Sequence, residues 1–217
     1  MQHGELNANK PIAGTINTID RGAPAGGPAG ERLLPKRPRT SEVISFSNED
    51  LKGVETPHDD AVVISMVVNK FDVKCVLLDN GSSANILYFD AYSRMGMTEK
   101  QLRRMNTPLV GFTGDSVPVE DEVDLLVMVG LAPRESTVGM GFFMVRLPSA
   151  YNAILGRPGL NALQVVVSTC HVLMRFPTSQ GVGEVRGDQT VARRCYMATH
   201  EAKQPAKVST STPDDKL

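Results

Sequence analysis

Cysteine is scarce in this chain, and no sign of charge dominates. Cys75, Cys170 and Cys195 are odd in number and widely spaced. They offer no disulfide framework and no C-x-x-C pair for a zinc site. Cys75 and Cys170 lie inside apolar runs and are expected to be buried thiols. His3, His58, His171 and His200 stand apart from one another, so no metal site is expected. Basic residues (23) nearly balance acidic ones (24), giving a net charge of −1. A dedicated nucleic-acid-binding domain is usually strongly basic, so no strong nucleic-acid signal is present. Tryptophan is absent, and no apolar run reaches the roughly 18–20 residues that cross a bilayer. The first residues, Met1-Gln2-His3-Gly4-Glu5, lack the basic and apolar regions of a secretory signal. These absences favour an intracellular protein, or a piece of a longer one, without a membrane partner.

What remains is 217 residues, 41% hydrophobic and 22% charged, enough for one domain with tails. Residues 1–58 read as a disordered tail. Ala23-Pro24-Ala25-Gly26-Gly27-Pro28-Ala29-Gly30 is too poor in apolar bulk to offset the entropy of ordering. The basic run Pro35-Lys36-Arg37-Pro38-Arg39 reads as a solvated linker cluster, with nucleic-acid contact as the alternative. Residues 179–217 are Gly- and charge-rich at first, then Ser/Thr/Asp-rich, and read as a largely disordered C-terminal tail. Residues 59–178 form the expected folded unit, mainly β with short helices.

Within that unit one stretch stands out. Val76-Leu77-Leu78 is an apolar strand that runs into Asp79, followed by Asn80-Gly81-Ser82-Ser83 and then apolar residues again. Gly81 suits a tight bend, and Ser82 and Ser83 can bond the backbone around it. Two readings fit. Asn-Gly between apolar runs is a hairpin signal, with Asp79 as a turn residue. Alternatively Asp-x-Gly is a catalytic loop that sets a carboxylate at the floor of a cleft.

Around this loop the alternation of Val119, Val123, Leu125, Val127 and Val129 against Glu120, Glu122 and Asp124 predicts a long half-exposed strand. Thr137 to Leu147 predicts another. Ile86 to Met95 reads as a short helix closed by Gly96, and Thr98 as the N-cap of a further helical turn. Leu109 to Val119 reads as a glycine-spaced hairpin. Ala153-Ile154-Leu155 is a buried strand that meets Gly156, and Pro158 sits in the first turn of the helix that follows. Val165–Ser168 and His171–Phe176 close the unit.

Asp79-Asn80-Gly81-Ser82-Ser83, the hairpin around Gly111-Phe112-Thr113-Gly114, and Ile154-Leu155-Gly156-Arg157 leading into a helix occur in a fixed order. That order resembles the retropepsin-like aspartic peptidases. Ser149 to Leu160, Phe176-Pro177-Thr178 and Gly181 to Gln189 resemble the protease region of Ty3/gypsy-type plant retrotransposon polyproteins in particular. The resemblance covers about residues 59–197. It implies a single-lobe acid-protease fold, a closed β-barrel, with Asp79 catalytic and Asn80, Gly81, Ser82 and Ser83 as the active-site loop. It implies that Gly111, Phe112, Thr113 and Gly114 fall in a flap over the substrate. Ile154, Leu155 and Gly156 would thread beneath the active-site loop, and Arg157 would brace the barrel or the dimer.

Aspartic peptidases need two carboxylates sharing one proton, because like charges about 3 Å apart cannot both ionise. This chain supplies one credible Asp-x-Gly; Asp20-Arg21-Gly22 leads straight into the Pro/Gly segment with no strand after it. The resemblance therefore implies a homodimer that cleaves a polypeptide, with no cofactor. The family usually has Thr or Ser where this chain has Asn80. An amide is larger and carries two donors and an acceptor, so it either replaces the hydroxyl brace between the two loops or prevents it. The second case gives a non-catalytic dimerisation or peptide-binding module on the same barrel.

Overall fold

A computed structural model of the chain describes residues 42–105, 109–110, 116–117, 119 and 121–203. The expected flap residues Gly111 to Gly114 and the basic run at 35–39 lie outside them.

The barrel is built from strands β1 (Val63–Val68), β2 (Phe71–Leu78), β3 (Ile86–Tyr88), β7 (Asp121–Leu131), β8 (Arg134–Val145) and β9 (Ala153–Leu155). They pair in the order β1-β2-β9-β3-β8-β7, and β7 pairs back onto β1, closing a six-stranded barrel. The fold is thus mainly β with a closed barrel and short helices. Val73, Val76, Leu87, Val127, Phe142 and Leu155 are among the buried residues that fill it. The long strand predicted from alternation is β7, where Val123, Leu125, Val127 and Val129 are buried and Asp124 and Leu126 are exposed. Its partner β8 runs alongside in unbroken register from Asp121↔Met144 to Leu131↔Arg134.

Between β3 and β7 lie helix α1 (Phe89–Arg94), β4 (Arg103–Arg104) on the outer edge of β7, and the arms of a hairpin, β5 (Leu109–Val110) and β6 (Ser116–Val117). Residues 86–88, expected in a helix, are instead strand β3, and only 89–94 are helical. Partners on both sides decide this: β3 is hydrogen-bonded to β8 in parallel and to β9 in antiparallel fashion. Tertiary pairing overrides a weak local helical preference.

After β9 come α2 (Arg157–Leu163), then β10 (Val166–Ser168), β11 (Leu173–Thr178) and β12 (Gly181–Arg186), which form a separate three-stranded sheet, and finally α3 (Gln189–Lys203). The expected boundaries at 58 and 178 therefore both fall inside structured chain. β12 and α3 extend it to residue 203, and residues 42–60 carry a 3-10 turn (Asn48–Leu51) tied to the C-terminal elements. Those ties are ionic, which hydrophobic patterning does not register. Asp50, 6% exposed, accepts from Arg175 Nη2 at 2.6 Å, from Arg175 Nη1 at 3.0 Å and from the Ser47 N–H at 2.8 Å. Arg175 also bonds Glu184 and the Ser45 carbonyl. On α3, Arg193 grips Asp60 through Nη2 at 2.8 Å and pairs with Glu55. Cys170, expected to be buried, is exposed, because it sits in the turn between β10 and β11.

The Arg175 hydrogen bonds hold the Asp50 carboxyl below its usual 3.8, and the Arg193 hydrogen bonds do the same for Asp60. A carboxyl whose pKa is lower folded than unfolded stabilises the fold above its unfolded value. That contribution is lost as pH falls through the folded value. The thermal midpoint is expected to be level from neutrality to about pH 5 and to fall below about pH 4. A midpoint that rises between pH 4 and pH 3 would contradict this linkage.

Candidate active site

Asp79 follows the last residue of β2, and the Asp79–Asn85 segment carries the chain from β2 to β3. These two strands are not paired with each other; β9 lies between them, parallel to β2 (Leu78↔Leu155) and antiparallel to β3 (Ile86↔Ile154). The segment is therefore not a two-residue hairpin turn. It is a loop that must pass over the end of β9, and that crossing sets its shape.

Three groups of contacts fix it. The first joins loop and β9 backbones: the Asp79 N–H donates to the Leu155 carbonyl at 3.0 Å, and the Arg157 N–H donates to the Ser82 carbonyl at 3.0 Å. The second is steric. A Cβ on Gly156 would lie 2.1 Å from the Ala84 carbonyl oxygen and 3.0 Å from that of Ser82. No side chain fits there, so the loop backbone rests directly on Gly156. The third comes from side chains. Arg157 Nη1 donates to the Gly81 carbonyl at 2.6 Å and to the Asn80 carbonyl at 3.3 Å, holding the tip of the loop from outside.

Asn85 supplies the remaining anchor, and the sequence reading did not single it out. It is 3% exposed. Its Oδ1 accepts from the N–H groups of Gly156 (3.1 Å) and Gly159 (3.0 Å), and its Nδ2 donates to the Gly141 carbonyl (3.0 Å). Gly156 is the N-cap of α2 and has no side chain with which to cap it. Asn85 satisfies these first-turn donors from the end of the loop instead. The sequence signal was present in retrospect, as a lone amide between Ala84 and the apolar Ile86-Leu87.

The result is a carboxylate held at a defined angle. Asp79 Oδ1 accepts from the Gly81 N–H at 2.9 Å, and Oδ2 accepts from the Ser82 hydroxyl at 2.6 Å. A Cβ at residue 81 would come within 3.1 Å of Oδ1 and press on the carboxylate. Asp79 is half-buried, so the carboxylate is reachable as well as braced. Such an arrangement can orient a water or a protonated partner and exchange protons with it. The structure thus brings Asp79, Gly81, Ser82, Leu155, Gly156 and Arg157 into one unit. Asn80 and Ser83 are exposed on its outer side, and among the described residues the Asn80 amide bonds to nothing. Ile154 pairs with Ile86 and supports the loop through β9. Among the described residues, no three His, Cys, Asp or Glu side chains converge where a metal ion would sit. No helix among them is long and apolar enough to cross a membrane.

No family model matches the sequence, and no curated protein does. Several solved structures resemble the fold. The retroviral protease-like domain of Ddi1 from Leishmania major aligns with a TM-score of 0.44 and 16% identity, over 59% of this chain and 96% of that one. EIAV protease in complex with the inhibitor HBY-793 aligns with a TM-score of 0.41 and 19% identity, over 53% and 99%. A retropepsin-like aspartic protease from Rickettsia conorii gives 0.36 and 15%, over 57% and 80%. At such scores and identities the likeness says nothing about chemistry.

Proposed function

We propose that this chain is an aspartic endopeptidase of the retropepsin type, active as a homodimer. The observation that carries the reading is the braced Asp79 carboxylate, offered from a loop that β9, Gly156 and Arg157 hold in place. Two copies of that loop, facing each other across a two-fold axis, bring two carboxylates together with one proton between them. One takes a proton from the water that attacks the peptide carbonyl. The other gives its proton to the carbonyl oxygen. The tetrahedral centre then collapses, and the amine leaves with a proton from the same pair. The β5–β6 arms rise from the segment between β4 and β7, and an extended peptide adds to such a hairpin by backbone pairing. The sequence resemblance to Ty3/gypsy-type retroelement proteases makes a polyprotein the substrate of choice.

Asn80 favours a second reading, a non-catalytic dimerisation or peptide-binding module. Asn80 is exposed, and it stands where the family this chain resembles usually has a hydroxyl that links the two loops.

The test is cleavage of a mixed peptide library at mildly acidic pH, with and without a statine-type transition-state mimic, across a range of protein concentrations. Cleavage should be blocked by the mimic, and specific activity should rise with concentration as dimers form. A folded, dimeric protein that binds peptides and never cuts them would leave only the second reading. Specific activity that stays constant where the protein is monomeric would overturn the shared-site mechanism.

A further inference from the structure

β2 carries one residue more than its partner needs. Ile64 pairs with Val76 and Met66 with Val73, so two steps along β1 match three along β2. Cys75 takes up the difference with a φ of 56°, a left-handed conformation that costs energy in a residue with a side chain. The bulge changes which side chains face the barrel. Strict alternation from Val73 would send Cys75 and Leu77 inward; instead Val76 and Leu78 are buried, and Cys75 is turned out and half-buried.

The element outside is α3, which packs on β1 and β2 and buries Ala192 and Cys195. Cys75 and Cys195 are neighbours at that seam, one on β2 and the other on the inner face of α3. Both residues also grip the segment that leads into β9. The Cys195 thiol lies 3.4 Å from the Ala150 carbonyl, and the Cys75 carbonyl accepts from the Asn152 N–H at 3.0 Å. Burial, reinforced by Cys75, pushes the Cys195 thiol up to about 11. A thiol held protonated in this way attacks poorly, and Cys75, nearer solvent than the buried Cys195, is the one a reagent meets first.

We propose that Cys75 and Cys195 form an oxidisable pair, a modification site at the β2–α3 seam that closes to a disulfide. The inference is independent of the peptidase reading. The oxidant is a low-molecular-weight disulfide of the glutathione type. The Cys75 thiolate attacks one sulfur of glutathione disulfide, whose S–S bond breaks, and one glutathione leaves. Cys195 then gives up its proton and attacks the Cys75 sulfur, expelling the second glutathione. Two protein thiols are oxidised to one disulfide, glutathione disulfide is reduced to two thiols, and both protons end on the glutathiones. The new bond ties α3 to the strand that delivers Asp79.

The experiment uses full-length Cys170→Ser protein, which removes the exposed third thiol, incubated with glutathione disulfide. Thiols titrated under denaturing conditions should fall from two to none. Intact mass should drop by two hydrogens with no glutathione retained, and digestion should give one cross-linked peptide pair containing Cys75 and Cys195. The thermal midpoint should rise by roughly 10 °C, as expected for closing a loop of about a hundred residues, and return on reduction. In the additional Cys195→Ser variant, Cys75 should instead keep one glutathione, with no rise in midpoint. Retention of both thiols by natively folded protein, or a glutathione adduct on Cys75 that Cys195 never displaces, would overturn the pairing.

Discussion

Replacing Asn85 by Leu is expected to remove roughly 3–6 kcal/mol of stability, the largest single loss from any side chain around the loop. The substitution keeps the volume approximately and deletes every polar atom. Two buried N–H groups, on Gly156 and Gly159, and one carbonyl, on Gly141, then lose their partner at once. Each such group costs about 1–3 kcal/mol when it is left unpaired away from water. Water has little access as a substitute at a position 3% exposed. Whole domains are stable by only about 5–15 kcal/mol, so the variant should sit near or below its folding limit at 37 °C. Asn85→Asp separates the contributions: it keeps the acceptor for both N–H groups, loses the donor to Gly141 and buries a charge at the start of α2. Urea denaturation should place it between Leu and the parent. A Leu variant that melts within about 2 °C of the parent would show that Asn85 is not the anchor described.

The second large effect is on activity. Asp79→Asn should lower cleavage by roughly 10³–10⁴-fold while changing stability little. The amide can accept from the Gly81 N–H as the carboxylate does. Its NH₂ can donate to the Ser82 oxygen, whose own proton is free to rotate. Shape is kept, and only the ability to take and return a proton is lost. Adding an equal amount of this variant to active protein distinguishes a shared site from two separate ones. With random exchange of subunits, activity should fall to about half, because mixed dimers have only one competent carboxylate. Unchanged activity after full exchange would mean that each copy works alone.

Much of the barrel was legible because its long strands are amphipathic. The valines and leucine at alternate positions from Val123 to Val129 marked the inner face of β7 despite the apolar Leu126 and Met128 on its outer face, and the Ile154-Leu155-Gly156 strand end was found with the helix after it. The elements that escaped are those whose positions depend on distant partners. Strand β3 has three residues, too few for a period to register. In β2 the apolar run that leads into Asp79 hides a bulge, which shifts the phase of the alternation. Helix α3 buries little more than Ala192 and Cys195 on its inner face and is held by ion pairs to Asp60 and Glu55, more than a hundred residues away, so its sequence looks like a polar tail. At the site itself, Asp79, Gly81 and Gly156 stood out by type and position, and Arg157 through the family resemblance. Asn85 did not, since an amide becomes informative only once the three backbone groups around it are known.

The passage of the Asp79 loop over β9 also has a temporal side. The groups that support the loop from beneath come from residues 141–159, made long after Asp79 itself. When chain elongation reaches Tyr88, the whole Asp79–Asn85 segment exists and nothing beneath it does. Non-local contacts of this kind form late. The emerging polypeptide therefore carries the Asp79 carboxylate in an unshaped state until most of the barrel has been synthesised, a delay written into strand order alone.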